Sequence, residues 1–301
     1  MQNKNFDVII IGGSYAGLSA GMALGRSLRN VLMINDNKPC NRQTPHSHNF
    51  ITHDGKTPKE IGELAKKDVE KYNTIHFYEG TALKAIKKEN GFEVETVSGD
   101  KFGAKKIILA SGVKDVMPDI PGFAECWGIS VIHCPYCHGY EVKNEITGIL
   151  ANGEMAYEFS KLVFNLTKNL TLFTNGKSAL TTGQSDKFAQ NNISINEDEI
   201  ERIEHEKGNL KTIVFKNGAS VPLKALYAKI PFQQNFDASE NLGCELTEQG
   251  FIKVDFMHKT TVAGVFACGD NVTMMRSVAN ATAQGNFAGA MVNKELSEEE
   301  F

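Results

Sequence analysis

Two cysteines separated by two residues stand in "HCPYCHGYE", residues 133–141, and that spacing carries chemistry. C-x-x-C followed by histidine fits the attachment pattern of a c-type haem, half of a zinc site, a dithiol/disulfide centre, or two ordinary cysteines in a turn. The motif alone does not choose between these readings. Haem attachment needs an axial ligand and export from the cytoplasm, and neither is legible in the chain. Structural zinc takes four ligands in tetrahedral geometry. His133, Cys134, Cys137 and His138 are packed too closely to supply all four comfortably, so no metal is expected. In the redox reading, the two sulfurs lie close enough to bridge. One thiolate is stabilised by the other's S–H and by a nearby helix N-terminus, and exchange proceeds by thiolate attack on a disulfide sulfur. His138 titrates near neutral pH as a free side chain, so it is a candidate proton carrier; the bland alternative is a histidine with no proton role. Tyr140 and Glu141 are weaker candidates for supporting it.

A reactive pair has to be positioned, and the rest of the chain suggests how. "FDVIII" (6–11) reads as a buried parallel strand ended by glycine, "GGSYAGLSAGMALGRSL" as a helix packed on a sheet, and "NVLMIND" as a second strand. Strand, glycine turn, helix and strand make a βαβ unit of the dinucleotide-binding kind. In its fingerprint, Gly12 makes the turn, Ser14 replaces the glycine that meets the pyrophosphate, and Gly17 lets the helix approach the strand. Asp36, beside Asn35, takes the place of the acid expected about twenty residues on.

The plan recurs at "EITGILANGEMAYEFSKLVF" (145–164) and "LTLFTNG" (170–176), but with Ala151, Gly153 and Ala156 at the fingerprint positions. No acid or arginine ends that second strand, and Lys177 is the one cation near it. The second unit is expected to keep the fold and to bind a nucleotide poorly or not at all. Further strand-and-glycine clusters occur at "KKIILASG" (105–112) and "GVFACGDN" (264–271), followed by a helical run from about Ser277 to Leu296 and a solvated "SEEEF" end.

Bulk properties narrow the function. A chain of 301 residues accommodates two cores, and 41% hydrophobic with 23% charged residues is ordinary for a soluble protein. A formal charge of −4 gives no footprint for nucleic acid or an anionic membrane. The start shows no signal-peptide pattern and no stretch has the length of a membrane span, so a cytoplasmic location is expected. Cys40, Cys126, Cys244 and Cys268 stand alone and read as packing residues, Trp127 as core or interface, and Phe232 and Phe236 as marking a return linker.

Taken together, "IIIGGSYAGLSA", "IILASG", "CPYC" and "GVFACGDN" resemble, in order and spacing, the low-molecular-weight thioredoxin reductase family of FAD-dependent disulfide oxidoreductases. The resemblance covers essentially the whole chain. It implies an α/β protein of two Rossmann-like three-layer (ββα/βαβ) dinucleotide-binding domains. Residues 1–114 and 232–301 form a discontinuous FAD domain, and 115–231 an inserted NAD(P)H-binding-like domain that carries the redox pair. By the same resemblance, the FAD pyrophosphate meets Gly12, Gly13, Ser14, Tyr15, Ala16 and Gly17, and the ribose meets Asn35 or Asp36. Arg42, His48 and Asn49 run along the cofactor, with Thr81 and Ala82 near the adenine. Gly112 and Gly269 flank it, Asp270 holds the ribityl–pyrophosphate region, and Val278 lies near the flavin ring. Cys137 is implied to face the flavin and Cys134 the substrate, a thioredoxin-like protein or a small dithiol or disulfide. A homodimer, and rotation between the domains about "VKDVMP" and "IPFQQNF", are implied in the same way.

The departures carry information. Standard members have an aspartate where this chain has His138, and they keep intact signatures for NADPH. "CPYCHGYE" with "LFTNG" is closer to the branch that includes dithiol oxidases of gliotoxin- and holomycin-type pathways, which pass electrons through FAD to oxygen. Three functions stay open: a reductase fed by NADPH, NADH or another donor; a dithiol oxidase; and a non-enzymatic flavin-binding scaffold or sensor.

Overall fold

The computed structural model describes residues 5–301. The chain opens with β1 (Asn5–Ile11), α1 (Tyr15–Arg26), β2 (Val31–Asn35), α2 (Pro58–Val69) and β3 (Ile75–Glu79). β1 pairs in parallel with β2, and β2 with β3, placing this βαβ unit at the centre of a larger sheet. A hairpin, β4 (Ala82–Lys88) and β5 (Gly91–Thr96), then leads into β6 (Lys101–Leu109). β6 runs parallel to β1 on one side, while its first half pairs antiparallel with β5 on the other. Alternation in β5 fits that position, since Phe92, Val94 and Thr96 are buried while the residues between them are half-exposed.

At β7 (Val113–Asp115) the chain leaves this sheet. A short α3 (Phe123–Cys126) and β8 (Val131–Ile132) lead to α4 (Pro135–His138), which holds the second cysteine. β9 (Thr147–Leu150), α5 (Gly153–Phe164), β10 (Leu170–Phe173), α6 (Thr182–Gln190) and β11 (Ser194–Asn196) repeat the βαβ plan. The antiparallel strands β12 (Ile200–Glu206), β13 (Asn209–Phe215) and β14 (Ser220–Pro222) form a separate layer, and β15 (Ala225–Ala228) returns to the parallel sheet. That sheet has the order β11-β10-β9-β15-β8. The two-domain Rossmann-like architecture follows from these two sheets, each covered on both faces by its own buried apolar clusters.

The return is made by β16 (Phe232–Gln234), which pairs antiparallel with β7. The two connectors between the domains are therefore one hydrogen-bonded ribbon. After α7 (Ala238–Leu242), β17 (Val265–Ala267) pairs in parallel with the second half of β6, and α8 (Val278–Glu300) packs on α1. No helix among the described residues is long and apolar enough to cross a membrane.

The end expected to be solvated, Ser297–Phe301, is exposed, and α8 runs through it. The helix continues to Glu300 because its last turns are paired: Lys106, a buried residue of β6, donates to Glu295 and Glu299, and Arg29 and Lys105 both reach Glu300. Charges that look like a polar tail are the partners of cations on the sheet. Lys106→Met keeps the aliphatic stem and removes the charge, so it should destabilise the protein by roughly 1–3 kcal/mol. The check is the urea midpoint against wild type; an unchanged midpoint would mean that the last turns contribute no tertiary stability.

Candidate functional site

The glycine turn after β1 is shaped for close approach. Gly12 has φ +107, and a Cβ there would lie 2.3 Å from the carbonyl oxygen of Ala110 on the neighbouring strand. A Cβ at Gly17 would lie 1.9 Å from the Gly12 carbonyl oxygen, so α1 seats directly on the turn. Ser14 caps α1 in extended backbone without spending its hydroxyl on the helix. Asn35 accepts from the Gly13 N–H at 3.2 Å, and the Asp36 carboxylate accepts from the Lys38 N–H at 3.1 Å.

These residues line a cavity of about 210 Å³ that shares walls with a second of about 530 Å³. The first holds Gly12, Gly13, Ser14, Tyr15, Ala16, Asn35, Asp36, His48, Gly112, Gly269, Asp270 and Val278, twelve positions expected from the sequence. Arg42, Thr81 and Ala82 line the second. Gly17 lies beneath the turn rather than on the wall. Asn49 is on neither wall: it is exposed at φ +59, and its N–H donates to Asp54 at 2.7 Å.

The arrangement fits an extended dinucleotide. It presents a helix N-terminus for the phosphates, an acid at the end of β2, and the buried Ser111 hydroxyl, which has no protein partner and faces the cavity. Burial raises the Asp270 carboxyl, partly offset by Arg276.

Cys134 and Cys137 open onto the same cavity, and both are free thiols. Cys134 is the N-cap of α4 in extended backbone, with Pro135 at the first helical position. Its thiol is lowered to about 7, chiefly by a hydrogen bond from Cys137 against the opposing effect of burial, with help from the Cys137 and Tyr136 N–H groups and the charge of Arg276. Cys137 is pushed far up, because its proton is the one that satisfies Cys134 and because it is itself buried. Shared protonation of this kind makes one good attacking thiolate and one proton-holding partner. His138 is lowered by burial, opposed by Glu141 and reinforced by His48.

What brings the pair to the cradle was not legible in any motif. Arg276, just before α8, donates to both Asp115 oxygens at 2.7 and 3.2 Å and to Cys40 Sγ at 2.9 Å, with its Nε 3.5 Å from Asp270. Trp127, from the inserted domain, donates to the same Asp115 carboxylate at 3.0 Å. Cys137 Sγ lies 4.0 Å from the Arg276 carbonyl oxygen. Burial raises the Asp115 carboxyl, but the hydrogen bond and charge of Arg276, aided by Trp127, more than offset this and leave it below the usual range. Cys40 is therefore more than packing: it lines both cavities and accepts from Arg276, while burial pushes its thiol up to about 11. Cys126, Cys244 and Cys268 are buried, as expected of packing residues.

The counterpart turn in the second domain differs. Asn152 occupies it, its side-chain oxygen accepting from Gly153 N–H and Ala179 N–H, both at 2.8 Å, and its amide donating to the Lys177 carbonyl at 2.9 Å. Glu154 stands in the first turn of α5, bonded by Gln184, and Glu197 takes the Ser178 N–H. Lys177 is exposed.

Comparison with known proteins agrees with this geometry. Residues 6–285 match the family model described as pyridine nucleotide-disulphide oxidoreductase. The chain is 33% identical to thioredoxin reductase tcpT of Claviceps purpurea, over 96% of this chain and 94% of that one. It is 30% identical to thioredoxin reductase aclD of Aspergillus oryzae, over 98% of each. The crystal structure of an oxidoreductase from Agrobacterium tumefaciens superposes with a TM-score of 0.91 at 38% identity, covering 98% of this chain and 99% of that one.

Asp115→Ala leaves the Arg276 guanidinium buried without its carboxylate and should cost about 3–5 kcal/mol, read as a fall in Tm. Because the folded carboxyl is depressed, this stabilisation is present above the unfolded value of about 3.9 and is lost as pH falls through the folded one. In the reduced protein, iodoacetamide should label Cys134 with a rate that rises with pH through about 7 while Cys137 stays protected. Peptide mapping across pH checks this, and equal labelling of both cysteines would contradict the uneven thiols.

Proposed function

The chain belongs to the pyridine nucleotide-disulphide oxidoreductase family and is an FAD-dependent disulfide oxidoreductase, and from that premise we propose that its electrons pass through Cys134–Cys137 without a pyridine nucleotide in the second domain. One observation carries the second half of this reading: Asn152 takes the N–H groups of Gly153 and Ala179 at the turn where a dinucleotide's phosphates would otherwise be received. Glu154 adds a carboxylate to the same helix N-terminus, opposing a phosphate electrostatically. No arginine stands nearby to read a 2′-phosphate.

FAD, when bound in the first cavity, supplies the two-electron carrier between the cysteine pair and an acceptor. Gly12 to Ala16 would hold its pyrophosphate, Asn35 and Asp36 its ribose, and Gly269, Asp270 and Val278 the end toward the cysteines. The pair does the exchange with substrate. Cys134, the lower-pKa thiol, attacks or is attacked by the substrate sulfur; Cys137 holds the proton and forms the internal disulfide; His138 takes and returns protons at the substrate sulfur. The substrate is a thioredoxin-like protein or a small dithiol or disulfide. The capped second turn favours one direction, from a dithiol into the pair and out to an acceptor such as oxygen, which is dithiol oxidation. The domain division that accompanies this reading is 1–114 with 232–301, and 115–231, supported by the β7–β16 ribbon at the two crossings.

Anaerobic mixing with a small dithiol should bleach the oxidised flavin's visible absorption within the enzyme's turnover time, whereas NADPH and NADH should do so at least about a hundredfold more slowly, a gap of about 2.7 kcal/mol in activation free energy. Admitting air after the dithiol should restore the colour and consume oxygen. Rapid bleaching by either nucleotide would overturn the proposed electron route, and Asn152→Gly would then be expected to change little.

A further inference from the structure

Each full cycle of the pair has to dispose of two protons. When a substrate thiolate bonds to Cys134 Sγ, the Cys134–Cys137 bond breaks and Cys137 Sγ leaves with the electron pair. The substrate's second thiolate then closes onto its first sulfur and releases Cys134. The substrate has lost two electrons and two S–H protons, and the pair has gained two electrons. When the acceptor re-oxidises the pair it takes both electrons, and oxygen reduced to hydrogen peroxide takes up two protons as well, so the protons lifted from the substrate sulfurs have to be carried away from the pair by other groups. His138 stands where the first transfer occurs, but its side chain is itself largely enclosed by the cavity wall.

The neighbour of His138 is His48. Their rings meet edge to face, with centroids 6.3 Å apart and planes at 83°. Both nitrogens of His48 face carboxylates: Nε2 lies 3.5 Å from Glu141 Oε1, and Nδ1 lies 3.6 Å from Asp54 Oδ2. Side-chain exposure rises along this line, from 22% at His48 to 40% at Glu141 and 65% at Asp54. Asp54 is oriented rather than loose, because its other oxygen accepts from the Asn49 N–H. The loop is closed on itself by Ser47 N–H to Lys56 O and Gly55 N–H to Ser47 O, at 2.8 and 2.9 Å. Glu141 belongs to the single turn after α4 and so stays with His138. His46, 6.3 Å from His48, is occupied with the Gly55 carbonyl.

We propose that His48 is the proton-relay partner of His138: its ring turns to take the proton released from substrate thiols on one nitrogen and, turning back, hands it to Glu141 or Asp54 and so to water. This rests on the thiol exchange proposed above. His48 also lines the cavity expected to hold the cofactor, so the relay is a second role beside that one. The titratable groups beside the two rings are Glu141, Asp54 and His46, and the thiols of Cys134 and Cys137 line the same cavity.

His48→Gln keeps a polar side chain and removes the carrier. Anaerobic dithiol-driven bleaching should slow about tenfold or more, with a changed pH profile, and added imidazole should restore part of the rate, while the flavin-to-protein absorbance ratio stays at the wild-type value. NMR titration of the His138 ring, which does not depend on turnover, should show it protonating at higher pH once the neighbouring ring is gone. A wild-type rate and pH profile in His48→Gln would overturn the relay, and so would a slow rate that imidazole does not restore. If His48→Gln loses flavin, the Asp54→Asn/Glu141→Gln double variant decides, slow and rescued supporting the relay and an unchanged rate overturning it. Failure of the wild-type protein to be bleached by dithiol at all would instead remove the exchange reaction and the relay with it.

Discussion

The Arg276–Asp115 ion pair is the contact on which the working geometry depends. Its parts come from distant places: Arg276 from the turn before α8, Asp115 from the first connector, Trp127 from the inserted domain and Cys40 from the loop after β2. A buried ion pair is stabilising only when its remaining donors and acceptors are also used, because desolvation otherwise outweighs the attraction. Here the guanidinium bonds both Asp115 oxygens and Cys40, and one of those oxygens also receives Trp127. Satisfied in this way, the cluster ties the inserted domain to the cradle at the point where Cys137 meets the Arg276 backbone.

That placement makes the two thiols unequal. Cys134 gains a hydrogen bond from Cys137, two backbone N–H groups and the nearby positive charge; Cys137 supplies the proton and bears the repulsion. The short helix α4 sets this up, since a cysteine at its N-cap faces the Tyr136 and Cys137 N–H groups of the first turn. The proposed exchange at the pair thus depends on three separate features: a local cap, a buried cation from across the domain boundary, and the histidines to which proton transfer is assigned. A change at any one would alter the exchange without touching the sulfurs.

Much of this was legible in the chain. The βαβ unit of residues 6–36 was readable because its strands are short β-branched runs ended by glycine, and those positions do line the cavity. The cysteine pair and His138 were readable from spacing and residue type. The degraded second fingerprint was visible as missing glycine and arginine. What takes its place was not, because Asn152 is one polar residue among several and becomes a plug only when Ala179 and Lys177 fold back against it. The pairing at the end of α8 was not legible for a similar reason: "SEEE" is polar in composition, and its cation partners Arg29, Lys105 and Lys106 lie far away in sequence, in the turn before β2 and on β6.

The sequence by itself determined the class of protein and pointed to the cradle and to the candidate cysteine pair, because periodicity, glycine turns and short spacings are local properties that survive without a fold. Only the tertiary structure decided which lone residues work together. Arg276, Asp115, Cys40 and Trp127 carry no motif, and His48 was placed along the cofactor by resemblance with no sign of its neighbours Asp54, Glu141 and His138. They become a clamp and a proposed relay because folding removes them from water, where an unpaired charge or ring nitrogen would be costly, and leaves each facing the partner that offsets that cost.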